Sequence, residues 1–153
     1  MSIQPILVAT DFSQDSDAAL IWASNQAALT GAQLIVLHVV HDPAEAAGFY
    51  RREQGEDPEP ITDIAKRMMA KSLSEERETH ADLTALQEAK PMIVSGLPPG
   101  RIVEIAKHED AQLVVIGSRG RTGLAHILVG SVAERVAQLA PMPVVIVKRK
   151  ARG

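Results

Sequence analysis

The chain has 153 residues, 46% of them apolar, which is a typical length for one compact domain, here expected to cover residues 1–153. It contains no cysteine, only 3% aromatic residues and a net charge of −3, which excludes disulfides and thiolate chemistry and disfavours binding to nucleic acid. No apolar stretch reaches the ~20 residues of a membrane span and no signal pattern opens the sequence, so we expect a soluble, cytoplasmic protein.

The first forty residues predict a strand, a helix and a second strand. The apolar run at 3–9 predicts the first strand, and Ser13 or Asp15 follows it as a candidate helix cap. Apolar residues at helical spacing over 16–29 predict the helix. The run AQLIVLHVV at 32–40 is rich in β-branched residues, as expected for a strand that is covered on both faces.

The rest of the chain continues this alternation after a long connection. Residues 41–60 are polar and acidic and contain three prolines, which predicts a long acidic loop of the kind that often serves as a lid or binds a partner. An i, i+3, i+4 pattern then predicts one amphipathic helix over 61–89. The remaining predicted elements are a strand at 92–95, a helix from Pro98, a strand at 112–116, a helix from 128 or 131 to 139, and a strand at 144–147.

Apolar strands that alternate with helices predict an α/β fold: an open five-stranded parallel sheet with helices on both faces. In such sheets a ligand binds beyond the carboxyl ends of the strands, where the strand order reverses. Three segments follow predicted strands at this edge, namely residues 9–13, residues 38–41 and the chain from Gly117 onward.

A glycine-rich segment follows the fourth predicted strand. Gly117, Gly120, Gly130 and Ser131 form the pattern G-x2-G-x9-G-S. The first two glycines allow a positive φ and a close approach of the backbone to a ligand, and successive amides there suit an anion. The last two residues begin the final helix, whose unpaired N–H groups and positive dipole end favour phosphate. The pattern therefore predicts a phosphate-binding loop.

Charge is distributed unevenly along the chain. Residues 1–100 hold 7 basic and 15 acidic side chains, whereas residues 101–153 hold 9 basic and 4 acidic ones. Arg119 and Arg121 lie within the loop and could supply charge-assisted hydrogen bonds to the outer phosphates. The basic residues at the end of the chain are as consistent with a solvated tail as with a contact to an anionic ligand.

Four segments carry a family resemblance: ILVATDFS at 6–13, LIVLHVV at 34–40, VVIGSRGRTGLAHILVGS at 114–131 and PMPVVIVK at 141–148. Through them nearly the whole chain resembles a single-domain universal stress protein of the UspA superfamily, in the ATP-binding branch that carries G-x2-G-x9-G-[ST]. The resemblance implies a Rossmann-like, adenine nucleotide alpha hydrolase-like sheet with strand order 3-2-1-4-5. It also implies an ATP-binding stress-response or regulatory protein that acts through conformation or dimer contacts.

The resemblance also assigns residues. It implies that the loop glycines and Ser131 hold the phosphates and ribose, that Asp11 lies beside the nucleotide, and that the backbone of Val39 reads adenine. The predicted contacts with ATP, or with ADP or AMP in its place, are Ala9, Thr10, Asp11, Val39, Gly117, Arg119, Gly120, Arg121, Gly130, Ser131 and Val132. Ala9 stands where many ATP-binding members have proline. We expect Mg²⁺ only through the ATP phosphates, with a water-mediated contact from Asp11, and a homodimer through the last strand, Val144–Val147.

Alternatives stay open at several of these points. A helix cap explains Asp11 and Thr10 as well as a ligand contact does. The sequence shows no nucleophile arrangement and no paired carboxylates beside the loop, which favours binding over catalysis. A slow ATPase or nucleotidyl transferase, and an interaction module with a vestigial nucleotide pocket, are the alternative functions. A receiver-type signalling domain is disfavoured because the third predicted strand ends in Ser95-Gly96 without an aspartate.

Overall fold

The computed structural model describes residues 2–41, 60–119 and 129–149. The strands among these residues are β1 (Ile6–Ala9), β2 (Leu34–Val40), β3 (Lys90–Ser95), β4 (Leu113–Gly117) and β5 (Val144–Val147). The helices in the same ranges are α1 (Gln14–Thr30), α2 (Ile61–Thr79), α3 (Thr84–Gln87), α4 (Pro98–His108) and α5 (Ser131–Leu139). All strand pairs are parallel and their order is β3-β2-β1-β4-β5, which confirms the predicted fold class and strand order.

The sheet has an apolar core on each face because successive strand residues point to opposite sides. On one face Ile6 and Val8 of β1 pack with α1, α2 and α3. On the other face Leu7 and Ala9 pack with α4 and α5. The central strands are buried on both sides, so the polar groups available for a ligand lie at the strand ends.

The first helix begins and ends as its sequence dictates. Ser13 is the N-cap of α1, and its Oγ accepts a hydrogen bond from the Ser16 amide at 3.2 Å. Gly31 terminates the helix in the left-handed conformation, with φ of 73°, which glycine adopts without steric cost. Of the two predicted caps, Ser13 is the correct one. Asp15 lies in the first turn with its side chain buried.

The prediction of one continuous helix over 61–89 is wrong. Helix α2 ends at Thr79, and the single turn α3 follows after a break. The Arg77 side chain joins the two pieces, donating from Nε to the Leu86 carbonyl and from Nη2 to the Ala89 carbonyl, both at 3.0 Å. A helical period alone does not reveal such a break. The carbonyls of the second piece accept hydrogen bonds from the Arg77 side chain, nine and twelve residues away.

Several strand boundaries also differ from prediction: β2 begins two residues later and β4 is shifted by one residue. Strand β1 begins at Ile6 and leaves Ile3 56% exposed, while β3 begins at Lys90 and includes Pro91. The backbone groups of successive strand residues point alternately to the two sides of the strand. The Gly96 amide donates to the Val40 carbonyl of β2 at 3.0 Å, so the backbone groups of Pro91, five residues earlier, point away from β2. Pro91 therefore lies where its missing N–H would face the open edge of the sheet, a position that proline tolerates.

The contact between β4 and α1 explains why position 117 is glycine. A Cβ on Gly117 would lie 2.8 Å from the backbone carbon and oxygen of Asp15. Among the described residues, the glycines with positive φ are Gly31 and Gly96, so the predicted positive φ at Gly117 is wrong. The absent side chain instead allows close backbone packing between the end of β4 and the first turn of α1.

This contact predicts a measurable loss of stability in Gly117→Ala. The added methyl group overlaps buried backbone that cannot rotate away, and we expect the free energy of unfolding to fall by about 1–3 kcal/mol. Urea denaturation measures the change. Gly100→Ala is the matched control, since a Cβ there meets nothing within 4 Å and alanine favours the helix by up to about 1 kcal/mol. Equal stability of Gly117→Ala and the wild type would contradict the contact.

Candidate functional site

The turn after β1 is held by its own side chains. The Phe12 amide donates to Oγ1 of Thr10 and the Ser13 amide donates to Oδ1 of Asp11, both at 3.0 Å. Phe12 adopts a positive φ of 66°, an uncommon conformation for a large side chain that its surroundings must stabilise. Thr10 also lies 3.1 Å from the Ser16 hydroxyl. Thr10 and Asp11 thus shape the turn, and this local role does not exclude ligand contacts.

His38 stabilises this turn from the neighbouring strand. It is only 2% exposed, and its Nδ1 lies 2.8 Å from the Thr10 carbonyl oxygen. A carbonyl only accepts, so Nδ1 carries the hydrogen. The imidazole ring also packs on Phe12, with ring centroids 4.5 Å apart. This role of His38 was not predicted from the sequence, although a polar residue in an otherwise apolar buried strand signals that a partner must exist.

An acidic side chain near the same turn, that of Asp17, has a raised pKa. Burial, together with the charges of Glu76, Asp11 and Glu75, raises the pKa of Asp17 from 3.8 to about 6. Asp17 is in the first turn of α1 and the two glutamates are in α2. This part of the surface therefore gains negative charge as the pH rises through about 6.

The raised pKa of Asp17 predicts a pH-dependent stability difference in Asp17→Asn. From about pH 4 to 6 the folded chain retains a proton that the unfolded chain has lost, so the wild type loses stability as the pH rises. Above pH 6 this loss of stability no longer changes with pH. Because Asp17 is only partly buried and solvent screens its charge, we expect Asp17→Asn to gain about 1 kcal/mol there and nothing below pH 4.

Thermal unfolding between pH 3.5 and 8 tests this difference. Asp63→Asn is the control, since Asp63 occupies the first turn of α2 but is exposed. A pH-independent difference between Asp17→Asn and the wild type would contradict the assignment.

The N-terminus of α5 faces the carboxyl edge of the sheet without a side-chain cap. Its N-cap is Gly130, with φ of −73° and ψ of 164°, and no side chain caps this helix among the described residues. The Gly130 amide itself donates to the Ser118 carbonyl, which joins the two ends of the glycine-rich segment. The first amides within the helix, those of Ser131 and Val132, have no intrahelical acceptor. These amides and the helix dipole suit an anion.

A buried carboxylate lies beside the start of the glycine-rich segment. Asp15 is 5% exposed; its Oδ2 is 3.3 Å from Nε of Arg119, and its Oδ1 is 3.6 Å from Nε of Arg149. Among the described residues, Oδ1 has no hydrogen-bond donor. Arg119, predicted as a phosphate ligand, thus lies at the expected end of the sheet but pairs with an aspartate. The roles of Asp15 and Arg149 in this cluster were missed from the sequence.

The remaining predicted contacts are distributed around the same edge. Ala9 and Val39 are buried at the ends of β1 and β2, in the core that α4 and α5 cover, and Val132 packs partly against that core. Gly120 and Arg121 lie outside the described residues, as does nearly all of the predicted acidic loop. Within residues 2–41, 60–119 and 129–149, no cluster of three His, Asp or Glu side chains fits a metal ion. None of the described helices is long and apolar enough to cross a bilayer.

The parallel sheet, with two loops and an uncapped helix end at its carboxyl edge, is typical of Rossmann-like folds that bind ligands at a strand-order reversal. The model of the universal stress protein family matches residues 2–148. The chain therefore belongs to the universal stress protein family, which confirms the resemblance read from the sequence.

Individual relatives agree with this assignment. Universal stress protein MJ0577 of Methanocaldococcus jannaschii is 32% identical, over 95% of this chain and 94% of the relative. Universal stress protein Rv2623 of Mycobacterium tuberculosis is 33% identical over 94% of this chain. This chain spans only 45% of the length of Rv2623.

Solved structures share the fold at lower identity. A universal stress protein in complex with cAMP superposes with a TM-score of 0.65 and 26% identity, covering 97% of this chain and 98% of that one. The universal stress protein from Archaeoglobus fulgidus in complex with dAMP gives 0.61 and 26%, covering 95% and 98%. Adenine nucleotides are thus ligands of proteins with this fold and family.

Proposed function

We propose that this chain is an ATP-binding regulatory protein of the stress response, which holds the nucleotide at the carboxyl edge of its sheet. The observation that carries the proposal is the N-terminus of α5. Glycine occupies its N-cap, and no described side chain bonds to its first amides. The Gly130 amide donates to the carbonyl of Ser118, the residue that follows β4. The two relatives in complex with cAMP and dAMP support an adenine nucleotide as the ligand.

The phosphates, the adenine base and a phosphate-bound Mg²⁺ would each contact different described residues. The amides of Ser131 and Val132 would meet phosphate oxygens at the positive end of the helix. Ala9 and Val39 are buried at the ends of β1 and β2, and the backbone of Val39 would contact the adenine base. Asp11 lies on the turn that faces this edge and would contact Mg²⁺ on the phosphates through water.

We also include the loop and its basic residues in the proposed site. The loop starts with Gly117 and Gly120. Its basic residues, Arg119 and Arg121, would supply charge to the outer phosphates. ADP and AMP share the adenine and ribose contacts but lack some of the charge that these groups would meet. We therefore expect ATP to bind more tightly than AMP.

Gly130→Asp separates the proposed binding site from the stability of the fold. The backbone at Gly130 suits any residue, and aspartate caps a helix slightly better than glycine, by a few tenths of a kcal/mol, roughly. The new carboxylate would occupy the expected phosphate position and repel it. We expect ATP affinity, measured by titration calorimetry, to fall by about a hundredfold or more, with an unchanged or higher melting temperature.

The matched control is Gly100→Asp, which introduces the same carboxylate into the first turn of α4. A side chain has room there, and we expect ATP affinity within about twofold of the wild type. Wild-type ATP affinity in Gly130→Asp would remove the α5 N-terminus from the site. A wild-type protein that binds no adenine nucleotide would refute the proposed function as a whole.

We further propose that two copies associate through β5. This strand is one edge of the sheet and its side chains are only partly buried. The carbonyls of Pro143 and Val147 accept from the Val114 and Ser118 amides at 3.0 and 2.9 Å. By strand alternation the backbone groups of Val144 and Ile146 therefore point to the open edge. An apolar strand with unpaired backbone groups is usually covered, and pairing with a second copy covers it.

Sedimentation velocity at micromolar concentration is expected to show a dimer. Val144→Pro removes an N–H from the open edge and leaves the ladder to β4 intact, and is tolerated as the first residue of a strand. We expect this variant to be monomeric, whereas Val144→Thr, which keeps both the N–H and the branched shape, remains dimeric. A monomeric wild type would contradict the proposed interface.

A further inference from the structure

The two arginines that meet Asp15 each follow the end of one of two neighbouring strands, β4 and β5. In the pairing of β4 with β5, Gly117 lies opposite Val147, and the Ser118 amide continues the ladder by donating to the Val147 carbonyl at 2.9 Å. Arg119 and Arg149 each lie two residues beyond this pair. Parallel neighbours are about 4.8 Å apart, which explains how both guanidinium groups reach one carboxylate.

Both side chains also point to the same face of the sheet. The Cβ direction of Gly117 is toward Asp15, and Val147 packs against the core that contains α1. Arg119 and Arg149 both reach Asp15 in the first turn of α1, so their side chains lie at the N-terminus of that helix. The adjacent ends of β4 and β5 and the shared contact with Asp15 place these two arginines near each other where the glycine-rich segment begins.

The contacts with Asp15 leave most of the hydrogen-bonding capacity of both arginines available. Each meets the carboxylate through Nε, which carries only one of the five guanidinium N–H groups. No other hydrogen bond or ion pair of these two side chains is formed within the described part of the chain. The side chains of Arg119 and Arg149 remain 22% and 43% exposed, so a ligand can reach them.

The charges of this cluster do not cancel. Two guanidinium groups surround one buried carboxylate, which leaves an excess of one positive charge beside the loop. A buried carboxylate fixes the position of its partners because separating them would leave it uncompensated. Planar guanidinium groups bind phosphate oxygens in pairs of hydrogen bonds. A neighbouring phosphate chain would balance the excess charge.

We propose that Arg149 is a second phosphate-binding residue of the nucleotide site, held beside Arg119 by the carboxylate of Asp15. The proposal rests on the proposed function, since it assigns to the ATP site a residue that follows β5 and lies outside the glycine-rich segment. Asp15 is the positioning residue: it aligns both arginines and need not touch the nucleotide. The contribution of Arg149 then depends on the phosphates and is absent for adenosine.

Titration calorimetry of Arg149→Gln with ATP and with adenosine tests this assignment. We expect ATP affinity to fall about tenfold, the factor for one charge-assisted hydrogen bond at a partly exposed site, and adenosine affinity to stay unchanged. Lys148→Gln is the matched control, one residue earlier in the same exposed segment, with no selective loss of ATP. Arg149→Lys keeps the charge without the planar fork and is expected to retain part of the affinity.

The outcomes separate the inference from the proposed function. Unchanged ATP affinity in Arg149→Gln, or an equal loss for ATP and adenosine, would overturn the role of Arg149. A wild-type chain that binds neither compound would instead refute the ATP site itself.

The role of Asp15 is tested by repeating the substitution in an Asp15→Asn background whose folding is checked by thermal unfolding. If Asp15 positions Arg149, then Arg149→Gln lowers the ratio of ATP to adenosine affinity by less in this background than in the wild type. An equal reduction would show that Arg149 acts without Asp15. Should Asp15→Asn fail to fold, Arg149→Lys and Arg149→Gln still decide the phosphate role.

Discussion

The backbone contact between the end of β4 and the first turn of α1 is the constraint on which the candidate site depends. Gly117 brings the two segments so close that a single methyl group would not fit. Asp15 lies in that turn with a buried carboxylate, so a charged group is held against the strand end. Arg119 and Arg149 meet this carboxylate from neighbouring strands. Close packing thus determines where charge lies at this edge of the sheet.

Most of the architecture could be predicted because it depends on local patterns. The apolar run of β2 and the turn residues around Gly31 indicate structure within a few neighbouring positions, and β5 agrees with its prediction at both ends. The parallel sheet follows from the alternation of such elements. The break between α2 and α3 was missed because the bonds of Arg77 depend on the tertiary structure, which a helical period does not report.

The candidate site was predictable in outline but not in its electrostatics. The loop glycines and the start of α5 are visible as a spacing in the sequence, and the structure gives Ser131 as the first helical residue. The pairing of Arg149 with Asp15 depends on strand register, which no local pattern specifies. The role of His38 was not predicted, because its partner, the Thr10 carbonyl, lies 28 residues away.

The proline in β3 gives the two margins of the sheet different chemistry. At the β3 margin, Pro91 interrupts the outward row of amide donors with a ring. The β5 margin, from Val144 to Val147, contains no such interruption. Backbone pairing between copies is hindered at one margin and open at the other. A strand added at the β3 margin would therefore lack the hydrogen bond that an amide at position 91 would donate, whereas β5 has an N–H at every position.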